Sequence, residues 1–131
     1  MTTRILIADD DAPIRMLLRR LFERHASWEV YEAEDGSEAV EKTAQLAPNL
    51  VILDLAMPAM NGLQIAREIG KVNPGLPMLL VSVQEVSSHL VELAREAGFR
   101  GAVTKSKGTE VVQAAEALFR NETFFAAEGL G

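Results

Sequence analysis

Residues 50–62 read Leu-Val-Ile-Leu-Asp-Leu-Ala-Met-Pro-Ala-Met-Asn-Gly, and this stretch decides the fold. Residues 50–53 are four apolar, β-prone side chains in a row, a run that suits a strand buried on both faces of a parallel sheet. The run ends in an acid, Asp54, where such a strand surfaces. Pro58 and Gly62 punctuate the loop beyond it. Open α/β sheets bind ligands outside the carboxyl ends of their strands, so a carboxylate at that place is a candidate functional group.

Outward from this strand, apolar runs and helical stripes alternate. Residues 4–8 form a mostly apolar first strand that ends in Asp9-Asp10-Asp11. Pro13 is tolerated only in a helix's first turn, so a helix begins near Ala12 with Asp11 as its N-cap. Ile14, Leu17, Leu18, Leu21 and Phe22 recur at helical spacing. Residues 28–33 read as a second strand, and residues 37–46 as a helix stopped by Pro48. A third helix covers residues 62–72, before the breaker Asn73-Pro74-Gly75. Strand four spans residues 78–83, helix four residues 86–97 with Gly98 as its C-terminal cap. A short strand at 102–104 and a helix at 110–119 follow, and residues 120–131 read as irregular. Five strands alternating with five helices predict a flavodoxin-like, doubly wound parallel sheet with helices on both faces. The order 2-1-3-4-5 is expected, with strands one and three side by side at the switch point.

Composition narrows the function classes. The chain's 131 residues fit a single domain, and 48% hydrophobic residues supply a core. A net charge of -6 and a pI near 4.9 oppose binding to nucleic acid or anionic membrane by this domain. The absence of cysteine removes disulfide and thiol chemistry. No run approaches the ~20 apolar residues of a membrane span, and the start lacks a signal-peptide core. A cytoplasmic location is the expectation.

Polar residues fall at four strand ends: Asp9 and Asp10, Asp54, Ser82, and Lys105. Alone, each has a bland reading, as a turn residue or a solvated charge. Together, the expected topology converges them on one crevice. Clustered carboxylates repel one another, and a divalent cation relieves that conflict. Mg²⁺ takes oxygen ligands at roughly 2.0–2.1 Å, commonly one or two carboxylates with water and a phosphate oxygen. The lack of cysteine or clustered histidine argues against zinc. A carboxylate beside such a metal can act as a nucleophile toward phosphorus, with an ammonium and a hydroxyl neutralising the transferring oxygens. Asp11 is expected to be structural, and His25 and His89 lack partner acids.

With these residues identified, the chain resembles the receiver domains of two-component response regulators over about residues 4–120. Ile-Leu-Ile-Ala-Asp-Asp-Asp, Leu-Asp-Leu-Ala-Met-Pro-Ala-Met-Asn-Gly, Leu-Leu-Val-Ser and Val-Thr-Lys stand in family order and at family spacing. The resemblance implies a phosphoacceptor rather than an enzyme, with Asp54 taking a phosphoryl group from a sensor histidine kinase. It implies Mg²⁺ held by Asp9, Asp10, Asp54 and the Ala56 backbone carbonyl, with Asp10 a direct ligand. Ser82 and Lys105 would contact the phosphoryl group, and output would pass through the face of helix four, strand five and helix five, a homodimer through that face included. Residues 104–107, 111–115 and 122–125 look most like receivers that precede LuxR-type helix-turn-helix domains. The expected division is a receiver over residues 1–122 and a tail, or the start of a linker to an output domain, over 123–131.

Three positions depart from the family pattern. Ser106 stands where a proline is usual, which predicts a rearranged or trans Lys105–Ser106 peptide. Ala102 occupies the position of an aromatic switch residue, and Val83 follows Ser82 where small residues are common, which predicts narrowed access to Asp54. Ala56 has no side chain to position an attacking water, so slow self-dephosphorylation is expected, with Gln84 as a substitute. Two rivals compete with this reading. One is a haloacid-dehalogenase-like phosphatase built on Asp9-x-Asp11, in which Asp54 would be idle. The other is a degenerate receiver acting only as an interaction module.

Overall fold

The computed structural model describes residues 2–57 and 59–126. Pro58, and residues 127–131 of the expected tail, lie outside the described residues. Strands β1 (Thr3–Ala8), β2 (Trp28–Ala33), β3 (Leu50–Asp54), β4 (Met78–Ser82) and β5 (Gly101–Thr104) alternate with five helices. These are α1 (Ala12–Phe22), α2 (Gly36–Leu46), α3 (Gly62–Val72), α4 (Ser88–Ala97) and α5 (Gly108–Phe119). All the strand pairs are parallel, in the order β2-β1-β3-β4-β5, so β1 and β3 lie side by side as expected.

The helices form two layers because the central strands are apolar on both sides. On one face Leu18 and Phe22 of α1 and Val111, Ala114 and Leu118 of α5 pack on Ile5, Ile7, Ile52 and Val81. On the other, Ala39 of α2, Ile65 and Ile69 of α3, and Val91 and Ala94 of α4 cover Leu6, Leu53 and Leu80. β3 and β4 are buried at every residue, including their polar ends Asp54 and Ser82. Among the described residues no helix is long and apolar enough to cross a membrane.

Local chemistry sets the boundaries. The Asp11 carboxylate caps α1 by accepting from Ile14 N at 3.4 Å, with Pro13 in the first turn. Asp35 caps α2, accepting from Glu38 N at 2.8 Å, which starts that helix at Gly36 rather than Ser37. Asn61 and Gln64 form a reciprocal capping box for α3, both contacts at 3.0 Å. Gly98 closes α4 at φ 103°, a left-handed conformation that glycine adopts without strain.

Beyond shifts of a single residue, three differences from the sequence reading stand out. α4 begins at Ser88, because the Ser87 hydroxyl caps it by accepting from Leu90 N at 3.1 Å, and Val86 is buried ahead of the helix. α5 begins at Gly108, two residues earlier than expected. Residues 120–131 are not irregular throughout: Phe124–Phe125 form a sixth strand, β6, parallel to β5 at the sheet edge. The Phe124 N–H donates to Arg100 O at 3.0 Å.

Candidate functional site

The register levels the strand ends. Ala8 pairs with Leu53, Asp54 with Val81, and Ser82 with Thr104, so the residues after β1 and β5 and at the ends of β3 and β4 share one rim. The Lys105 N–H donates to Ser82 O at 2.8 Å, extending the ladder by one residue and turning the lysine over that rim. Its Nζ lies 2.7 Å from Asp9 Oδ2 and 3.1 Å from Asp54 Oδ1. Asp9 is fully buried, Asp54 is 3% exposed, and Asp10 is exposed. A single cation thus bridges two buried carboxylates while a third acid faces solvent beside them.

The electrostatics follow from this burial. Desolvation, and then the charge of Asp9, push the Asp54 carboxyl up to about 6, against the Lys105 hydrogen bond and the Ala56 N–H. Ala56 N donates to Asp54 Oδ1 at 3.3 Å. Burial opposes the Lys105 ammonium, but its bonds to Asp9 and Asp54 together outweigh burial and raise its pKa. The lysine is therefore a fixed positive charge at neutral pH.

The acid set suits a hard divalent cation. One carboxylate oxygen from each of Asp9, Asp10 and Asp54 lies within 4.8 Å of the others. Asp9 Oδ2 is buried and has the Lys105 ion pair but no directed hydrogen bond. Oxygen donors without sulfur or imidazole match Mg²⁺ rather than zinc.

The remaining expected residues fall as follows. Ser82 is buried and its Oγ accepts from Gln84 N at 3.1 Å, which leaves the hydroxyl hydrogen available for another acceptor. Ala56 is exposed on the loop after β3, and Val83 is 69% exposed beside Ser82. Ala102 is fully buried between Leu80 of β4 and Phe125 of β6. The Lys105–Ser106 peptide is trans, as expected, and the Ser106 and Thr104 hydroxyls are 3.1 Å apart. Asp11 caps its helix and is exposed, so the paired acids required by the dehalogenase-like rival do not form. His25 stacks on Trp28 at 3.7 Å between ring centroids, well apart from the acids in the fold.

Sequence reasoning passed over Arg15. Its side chain is only 10% exposed, and Nη1 donates to the Asp9 carbonyl at 2.6 Å while Nε donates to Glu32 at 2.7 Å. Arg19 reaches the other Glu32 oxygen at 2.6 Å. Hydrogen bonding from Arg19 above all, with Arg15 adding to it against the effect of burial, holds Glu32 below the usual carboxylate range. Arg15, Leu18 and Phe22 line one helical stripe, so an arginine on the inward face was the available signal.

The comparisons with known proteins agree with this geometry. Residues 5–116 match the response regulator receiver domain family. The chemotaxis protein CheY of Thermotoga maritima is 38% identical over 106 residues, covering 80% of this chain and 87% of that protein. Among solved structures, a LuxR-family two-component response regulator from Aurantimonas sp. SI85-9A1 superposes with a TM-score of 0.91 and 32% identity, covering 98% of this chain and 92% of that one. The signal receiver domain of NarL from Mycobacterium tuberculosis gives a TM-score of 0.82 at 29% identity, over 91% and 97% of the two chains. The buried acid pair, its bridging lysine and the parallel fold thus meet a family match over most of the chain, which belongs to the receiver domains of two-component response regulators.

Proposed function

We propose that Asp54 is the phosphoacceptor and that a sensor histidine kinase is the donor. The reading rests chiefly on one observation: Lys105 Nζ bridges the buried Asp9 and Asp54 carboxylates, with Asp10 beside them. A carboxylate oxygen of Asp54 attacks the phosphorus of a phosphohistidine; the O–P bond forms as the N–P bond breaks, and the imidazole leaves. With a pKa near 6, Asp54 is mostly ionised at neutral pH and ready to attack. Lys105 neutralises charge on the transferring oxygens, and the Ser82 hydroxyl donates to one of them. Asp9, Asp10 and Asp54, with the Ala56 carbonyl, would hold Mg²⁺, which supplies further charge neutralisation when bound.

The phosphoryl group adds charge and acceptor oxygens at the rim, drawing Ser82 and Lys105 inward and biasing the face of α4, β5 and α5. Output follows through that face, by homodimerisation or docking, and acts on transcription through a helix-turn-helix domain outside these residues. We place the receiver over residues 1–122 in the cytoplasm. We read residues 123–131 as a tail or the start of a linker to an output domain, and within it Phe124–Phe125 pair with the sheet.

The test is incorporation of phosphate from acetyl phosphate, followed by intact mass. Wild type gains one phosphoryl group with Mg²⁺, and Asp54→Asn gains none. Incorporation into that variant at the wild-type rate would falsify the assignment.

A further inference from the structure

Leu53, Leu80, Ala102 and Phe125 are paired in turn across β3, β4, β5 and β6, forming one row across the sheet. All four belong to the core on the α3 and α4 side. Side chains two residues apart on a strand share a face, so Ser82 and Thr104 stand on this same side, one layer nearer the rim. Ser82 is paired with Thr104 as Leu80 is with Ala102. The row beneath the phosphoryl-contacting hydroxyl therefore ends in a phenylalanine ring on an edge strand.

β5 is made small where that strand docks. A Cβ on Gly101 would lie 2.7 Å from Phe124 O, and Ala102 offers only a methyl group beside Phe125. Phe125 is 5% exposed, and the Arg95 guanidinium of α4 lies 4.3 Å from its ring centroid. Two residues at a sheet edge, joined to one neighbouring strand, belong to the low-stability end of a fold. β6 is thus the member of the row that is able to shift without disrupting the central strands.

We propose that β6 is a sensing strand whose docking is coupled to occupancy of the acid site, an inference that rests on Asp54 being the phosphoacceptor. Drawing Ser82 toward a group on Asp54 vacates space on the α4 side of the β4 and β5 ends. Packed interiors do not keep such voids. The Ala102 methyl is too small to fill it, and Leu80 is held in a central strand. The Phe125 ring advances instead, so β6 docks more tightly and carries the state of the site to the segment that follows it.

Amide hydrogen exchange on the full chain, with and without beryllofluoride and Mg²⁺, reads this directly. The Phe124 amide, which donates to Arg100 O, should slow by about tenfold on saturation, within the usual range of coupling between sites. Asp54→Asn should abolish that slowing. Because coupling is reciprocal, Phe125→Leu should weaken beryllofluoride binding by the same factor. Ala102→Phe, which places a ring in the same space, should speed exchange in β6 and make it indifferent to beryllofluoride that still binds. Unchanged or faster exchange at Phe124, while the Asp54 amide resonance shows saturation, would overturn the coupling and leave the phosphoacceptor reading standing. No response of the Asp54 resonance would overturn that reading and this inference with it.

Discussion

Neutralising Asp54 should stabilise the metal-free protein. The carboxyl is pushed from 3.8 to about 6, chiefly by burial and then by the charge of Asp9. At about 1.4 kcal/mol per pH unit, that rise amounts to about 3 kcal/mol of penalty on the ionised form. The sign follows from proton binding. Between 3.8 and about 6 the folded state holds a proton that the unfolded state has released, so stability falls as pH rises through this window. Above it the penalty is constant, and below it the penalty vanishes. A neutral amide in place of the carboxylate carries no such penalty and keeps an acceptor for Lys105, so Asp54→Asn should gain roughly 1–3 kcal/mol at pH 7.5 in chelator. At this chain length that corresponds to a Tm increase of roughly 4–12 °C. Urea denaturation at pH 4, 5, 6 and 7.5 should show the gain growing with pH and then levelling. Saturating Mg²⁺ should narrow the gap, because it stabilises the wild type by mass action and the variant less. Equal stabilities at pH 7.5, or a less stable variant, would refute the claim that desolvation and Asp9 outweigh Lys105.

Lys105→Met removes the cation between two buried carboxylates, and a loss on the order of 3 kcal/mol is expected in chelator. Urea melts with saturating Mg²⁺ should recover much of it. Gly62→Ala would bring a Cβ to 2.5 Å from the Asp54 carbonyl, backbone that cannot yield without moving the acceptor. It should cost about 2–3 kcal/mol and slow phosphorylation, whereas Gly70→Ala, with open space around it, should gain about 0.5–1 kcal/mol by thermal denaturation. Arg15→Ala strips the Asp9 carbonyl of a buried donor and leaves Glu32 to Arg19 alone. A cost of about 2–3 kcal/mol is expected, with a weaker Mg²⁺ affinity by isothermal titration calorimetry. Arg15→Lys should recover only part of both.

Most of the site could be read from the chain because parallel strands buried on both faces have no place for polar residues except their ends. Asp54 and Ser82 each close such a run, Asp9 and Lys105 each follow one, and the register brings the four to one rim. Arg15 escaped notice because it joins the site through the carbonyl of Asp9, and a side chain's bond to backbone leaves no pattern of residue types. The start of α4 was misplaced because Val86 is apolar and suits a helical stripe, while the Ser87 cap holds it outside the helix.

By itself the sequence determined the alternation of strands and helices and the identity of the strand-end acids, since hydrophobic periodicity and caps are local properties. It set Asp11 apart as a helix cap, which the structure bears out, but did not tell the buried acid from the exposed one in Asp9-Asp10. Only the folded chain buries Asp9 against Lys105 and leaves Asp10 at the surface. Nor do two phenylalanines after a helix carry any period of their own. Phe124 and Phe125 became a strand because Gly101 and Ala102, more than twenty residues earlier, leave an edge narrow enough to receive them.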